Sequence, residues 1–362
     1  MANRVCLELQ ADVRPCIDEV LKMSEIAYED PIFCGLFDRT ITSIPPNVSK
    51  PAPEPTQSAA NPGRWIEMPR MPIPTAEMGV IECEGKVHVI GGYARQNVNS
   101  AFHQVYDPVL KTWSLKAPIP FANNHLSLAV IGGLIYSFGG FTEQNRCPHS
   151  KCFVYDANSD EWAPLPNLIR PRGAISAVAL DGLIHLLGGR DVRSLDWHEV
   201  YDPKTQKYKI LEGMRGSTPT QPFAGQRCHM GAVVIDGKIH TVGGRKDSYD
   251  FNTSLHSVYD PKSDSWSFRR PLPTARSGLC AAYVSGRLIA FGGEAPGLVF
   301  AANEGYDPKT DRWELLAPMP IPRHGLHGAT AAVIGANVYV PGGAPITGGS
   351  VQGAYHDIFT FE

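Results

Sequence analysis

The sequence has no apolar run of membrane-spanning length, which excludes a helical transmembrane anchor. Its first residues, MANRVCLELQADVRPC, place acidic side chains where a secretory leader needs an unbroken apolar stretch. A basic excess is missing as well: the formal charge is −3, so nucleic acid is not expected as a partner. The 8 cysteines show no repeated pairing pattern, and without a leader reduced thiols in the cytoplasm are the expectation. Cys147 and Cys152 flank His149 in one short loop, but two thiols and one imidazole fall short of a zinc signature. They are read as unpaired loop cysteines. Helix-favouring runs are scarce after residue 60, whereas Gly (35) and Pro (31) are abundant. With 43% hydrophobic residues, that balance describes a well-filled core of short strands and tight turns.

What is present is a repeat. An apolar run ending in Gly-Gly occurs six times, at Gly91, Gly139, Gly188, Gly243, Gly292 and Gly342, at intervals of 48, 49, 55, 49 and 50 residues. A Tyr-Asp turn follows five of them, at Tyr106, Tyr155, Tyr201, Tyr259 and Tyr306. A tryptophan comes next at Trp113, Trp162, Trp266 and Trp313, with Tyr208 in its place in the third repeat. This set of elements resembles the kelch repeat over about 300 residues. The resemblance implies an all-β, six-bladed propeller whose blades each hold four strands, a to d. The sixth repeat stops at strand c, His356-Asp357-Ile358-Phe359, and lacks its tryptophan strand. Arg64-Trp65-Ile66-Glu67-Met68-Pro69 matches the fifth repeat's Arg312-Trp313 segment, so Trp65 is expected to supply strand d of the last blade. The domain division is therefore 63–362 for the propeller and 1–62 for an extension. That extension carries a short helix starting near Pro15, an apolar patch over 31–37 and a Pro/Ser-rich linker.

Strand direction places the d–a and b–c loops on one rim. Counting ten residues back from each a–b turn glycine gives Thr75, Asn123, Arg172, Arg227, Arg276 and Gly325, with Arg323 nearby; eight back gives Glu77, His125, Ala174, His229, Gly278 and His327. Strand alternation turns both sets toward the channel mouth. The b–c loops add Tyr93, Phe141, Arg190, Arg245 and Glu294. An Arg/His-rich mouth suits an anionic ligand, either an acidic peptide segment of a partner or a small metabolite. The opposing expectation is that these arginines bond loop carbonyls. His125, His229 and His327 fall on alternate blades, where a metal is conceivable but a six-bladed channel holds them far apart; no metal or other cofactor is expected. Cys228, between Arg227 and His229, alternates to the buried side.

The alternative is a non-redox isomerase, mutarotase or cyclase using Glu294, Glu77 or His229 for proton transfer. Gly292-Gly293-Glu294-Ala295-Pro296-Gly297 is similar to the catalytic-glutamate segment of kelch-type sialic acid mutarotases, although Val299-Phe300 stand where an arginine is implied. A copper oxidase of the galactose oxidase type is disfavoured, having seven blades and a Tyr/Cys pair not identifiable here. The long third d–a connection, 213–222, is a candidate lid over the mouth.

Overall fold

The computed structural model describes residues 56–214, 225–326 and 331–362. The N-terminal helix, the apolar patch and most of the proposed 213–222 lid lie outside them. Six four-stranded antiparallel sheets account for the fold, and among the described residues the only helical turn is a 3-10 turn at Tyr249–Phe251. Strand a of blades one to six is Gly79–Cys83, Ser127–Ile131, Ser176–Leu180, Gly231–Ile235, Cys280–Val284 and Ala332–Ile334. Strand a is terminal in every sheet, and strand d, which carries the repeat's aromatic residue, is the other edge. Blade six takes its strand d from the opposite end of the chain: Arg64–Glu67 pairs with His356–Thr360, Trp65 opposite Phe359. The compact unit begins before that strand, at Thr56. Ser58 bridges Leu315 in parallel, and Leu315 N donates to Gln57 O, so this stretch covers the outer edge of blade five.

The Gly-Gly pairs let neighbouring backbones meet. A Cβ on Gly139 would sit 2.2 Å from Arg172 O, and one on Gly188 would sit 2.3 Å from Arg227 O. The following glycine donates its N–H to the same carbonyl, Gly140 to Arg172 and Gly189 to Arg227. Both glycines have positive φ, which a side chain would strain.

On the same rim, toward the outer side of five of the blades, one carbonyl after strand d accepts two donors. Ala117 O takes His103 Nδ1 from its own blade and Trp162 Nε1 (2.9 Å) from the next. Glu212 O does the same for His198 and Trp266, Arg270 O for His256 and Trp313, and Pro69 O for His356 and Trp113. In blade five Asn303 replaces the histidine, sharing Ala317 O with Trp65. In blade two Cys152 takes the slot, and Tyr208 donates to Pro166 O. Cys152 is therefore a buried strand residue and a free thiol, not joined to Cys147, whereas Cys147, expected to be unpaired, is disulfide-bonded. Three of the strand-c histidines also receive a strand-b histidine at 2.8–2.9 Å: His88 to His103, His185 to His198, His240 to His256. Since Nδ1 of the strand-c ring donates to the carbonyl, its Nε2 accepts from Nδ1 of the strand-b ring, and the strand-c ring is neutral.

Candidate functional site

Arg172, Arg227, Arg276 and Arg323 are at most 1% exposed, and their guanidinium groups turn into their own blades instead of the mouth. Arg172 bonds Gly188 O and Glu199 (2.6 Å), and Arg276 bonds Gly292 O, Ala290 O and Glu304 (2.5 Å). Arg323 pairs with Asp357 at 2.5 Å. Among the described residues Arg227 has no carboxylate partner: Gly243 O, Leu255 O, Thr241 Oγ1 and Ser257 Oγ receive its protons, and burial lowers its pKa to about 10. Burial also lowers the Arg172 and Arg323 pKa, opposed by Glu199 and Asp357. These side chains tie the Gly-Gly turn to strand c. Arg276→Ala is expected to destabilise the fold by about 3–5 kcal/mol, leaving Glu304 buried and unpaired, while Arg276→Met with Glu304→Leu recovers much of the loss. Urea unfolding of the three proteins measures it.

The residues two positions further on behave differently. Glu77, His125, Ala174, His229, Gly278 and Gly325 all have φ between 52° and 70°. Their backbones form a belt between blades: Glu77 N donates to Gly325 O, His125 N to Glu77 O, Ala174 N to His125 O, His229 N to Ala174 O and Gly278 N to His229 O. The last blade's member of the belt is thus Gly325, not His327, which itself lies outside the described residues. His324, one residue earlier, joins the side chains that meet at the axis.

These side chains close a circuit. Glu77 lies 3.2 Å from His125 Nε2; the His125 and His229 rings meet edge to face at 5.0 Å; His229 Nε2 is 3.0 Å from Arg245. Arg245 pairs with Glu294 at 2.9 Å, and His324 Nδ1 stands 3.2 Å from Glu294 and 3.5 Å from Glu77. Arg245 can only donate, so His229 Nε2 accepts. His324 Nε2 donates to Ile346 O at 2.7 Å, which leaves Nδ1 facing the two carboxylates. Burial works to lower the Arg245 pKa, but Cys228, Glu294 and Tyr249 together carry it above its ordinary value. All six residues are at most 4% exposed. Among the described residues no three His, Cys, Asp or Glu side chains are arranged to hold a metal. Arg190 stays outside the circuit, donating to Asp247 O at 2.6 Å and locking the b–c loops of blades three and four together. Cys228 is fully buried, and burial raises its pKa.

A strap from the b–c loop of blade six crosses this centre. Gly348 N donates to Glu294, Gln144 from blade two reaches Gly348 O, and Gln352 reaches Gln96 O of blade one. A Cβ on Gly349 would sit 3.1 Å from Glu77 Oε1. Asn97 and Gln144 join the loops of blades one and two. The rim around the strap bears exposed Val98, Phe102, Ile346 and Val351, interspersed with exposed Arg95, Arg146 and Lys151.

Models of the Kelch motif match residues 123–169, 171–215 and 275–320, and a second Kelch motif model matches 226–273. The chain belongs to the kelch-repeat family. This kelch chain is 28% identical over 324 residues to Kelch-like protein terF of Aspergillus terreus, covering 82% of this chain and 68% of that protein. It is 33% identical over 156 residues to mouse Kelch-like protein 35, covering 42% and 26% respectively. It is 24% identical over 235 residues to human Kelch-like protein 23, covering 63% and 39%. It thus spans less than half of the latter two. The solved structure titled "Structure of YjhT" superposes with a TM-score of 0.64 at 15% identity, covering 81% of this chain and 95% of that one. That likeness is one of fold.

Within this kelch propeller, the structure gathers some of the residues that the sequence placed at the mouth and separates others. Glu77, His125, His229, Arg245 and Glu294 do come together, at the axis and beneath the strap. His324, which the count back from the turn glycines does not reach, is the additional member; its signal was Ala344, the blade-six counterpart of Arg245, since His324 bridges Ala344 as Cys228 bridges Arg245.

Proposed function

We propose that this kelch propeller is a protein-interaction module. Its b–c rim over blades six, one and two would take an acidic, amphipathic segment of a partner. The supporting observation is the rim itself. Four exposed apolar side chains, Val98, Phe102, Ile346 and Val351, share it with Arg95, Arg146 and Lys151. Apolar contact would provide affinity there, and the basic side chains would select acidic sequences. The loops beneath are cross-linked by Asn97–Gln144, Gln144–Gly348 and Gln352–Gln96, so the face is pre-organised. The buried arginines of the blades are committed to their own sheets and contribute no contact. Glu77 faces His125 and Glu294 is paired with Arg245, and the reading is one of binding, not turnover.

A fluorescent synthetic peptide alternating Asp/Glu with Leu/Phe tests this. It is expected to bind saturably, with affinity falling as salt rises. Phe102→Asp, and separately Arg95→Glu with Arg146→Glu, should each weaken it about tenfold, equivalent to about 1.4 kcal/mol, without lowering the melting temperature. Unchanged affinity in both variants would remove this face from consideration.

A further inference from the structure

Between the six strands a, on the a–b-turn side of the axial circuit, the channel holds a cavity of about 330 Å³. Strand a of every blade lines it, with Leu128, Ala177, Val234, Ala282 and Val333 among the walls. These walls are apolar, and strand a is an edge strand, so its channel-facing backbone groups have no ladder partner on that side. Glu82 and Tyr283 provide the polar side chains of the lining, and Glu82 accepts a bond from Gly85 N at 2.8 Å.

Three of the six turns around the opening carry a carboxylate, and the other three carry no charge. Glu84, Asp181 and Asp236 occupy the left-handed positions of their a–b turns and are exposed. The cations next to them are directed elsewhere: Lys86 to Asp107 (3.4 Å), Lys238 to Asp260 (2.7 Å) and Arg287 to Glu314. The charged residue in the wall and the carboxylates around the opening therefore carry one sign. A low-dielectric cavity behind these carboxylates focuses negative potential at its entrance. At the inner end the Glu77–Glu294 circuit closes the axis.

We infer that this cavity binds a small organic amine, its apolar body among the strand-a side chains and its ammonium group at Glu82. The cavity size falls at the lower end of small-molecule sites. A carboxylate of the same shape would meet Glu82 and the acidic turns, and would be excluded. This site is independent of the b–c rim, which lies at the other end of the channel.

Calorimetry with phenethylamine and its near-isostere 3-phenylpropionate separates the outcomes. Phenethylamine is expected to bind one to one and at least about tenfold more tightly than the acid, an advantage that shrinks as salt rises. Glu82→Gln should remove most of that preference. Ala179→Phe, which fills the cavity from its wall, should abolish binding; if it fails to fold, Val333→Phe makes the same test from another wall. Absence of saturable binding, equal affinity for amine and acid, or binding indifferent to both the filling and the charge substitutions would each overturn the inference.

Discussion

A chain beginning at Met68 is expected to lose cooperative folding, while one beginning at Thr56 melts as a single unit. The difference includes strand d of blade six. Arg64–Glu67 pairs along its length with His356–Thr360, Arg64 opposite Thr360 and Glu67 opposite Asp357. Trp65 packs on Phe359 at 5.2 Å and Phe291 at 6.1 Å, and its Nε1 donates to Ala317 O at 2.8 Å. Removing it exposes Phe359 and Phe291, both fully buried, and leaves strand c as an open edge. Blades of a closed ring bury their faces only against both neighbours, so the loss is felt beyond blade six. A chain beginning at Gly63 keeps the strand but lacks the Ser58–Leu315 bridge, and should lose only a few degrees. Trp65→Ala, which keeps the strand and removes the ring, is expected to cost roughly 3 kcal/mol. Thermal melts of the three chains and the point variant decide the matter. Equal melting temperatures for chains beginning at Thr56 and Met68 would refute closure by the N-terminal strand.

The propeller was legible because its devices are local and recur. Gly-Gly, Tyr-Asp and Trp each mark a close backbone approach, a turn or a wedge, and each repeats at the same spacing. Trp65 could be assigned across the whole chain for the same reason. Direction of side chains was harder. Alternation along an extended strand places residues two apart on one side, yet Ala174 and His229 have positive φ, and that breaks the alternation between Arg172 or Arg227 and the axis. The arginines consequently enter their blades while Glu77, His125 and His229 enter the circuit. A signal for this was present: Glu199, Glu304 and Asp357 each stand two residues before the strand-c aromatic, in the blades of Arg172, Arg276 and Arg323.

The last blade failed for a different reason. Counting back from its turn assumes a constant strand-a lead-in, but residues 327–330 stand between Leu326 and Ala331 where blade one has only Gly79 between Met78 and Val80, and its turn glycine, Gly335, comes one position earlier in the turn than Gly85, for a net shift of two. That displaced the expected belt residue from Gly325 to His327 and hid His324. The strap across the axis escaped notice because its residues, Thr347, Gly348, Gly349 and Ser350, carry no charge and contribute through backbone groups.

Acid is expected to unfold this propeller well above the range in which its carboxylates titrate. Burial lowers the pKa of His88, His185, His240 and His356 to about 4, and that of His103, His198 and His256 to about 3, with a neighbouring histidine adding to the effect in the latter three. An unfolded histidine titrates near pH 6.5. Below that value the unfolded chain binds protons that the folded chain refuses, so stability falls with falling pH until the folded values are reached. Each such histidine withdraws about 1.4 kcal/mol per pH unit, and seven acting together exceed the whole stability of an ordinary domain within about two units. The carboxylates act later: Asp107, Asp202 and Asp260, held low by hydrogen bonds, lose their contribution only below their ordinary value of 3.8. The urea midpoint should therefore drop steeply between pH 6.5 and 5, with unfolding in buffer by about pH 4.5. Blade six already has Tyr339 where other blades have a strand-b histidine, which makes His240→Tyr a tolerated way to remove one titrating group. That variant should show a shallower acid slope, by about one proton, at unchanged neutral stability. A urea midpoint that stays flat from pH 7 to 5 would mean that the histidine pairs are protonated within the fold, contrary to the hydrogen-bond chain through His103, His198 and His256.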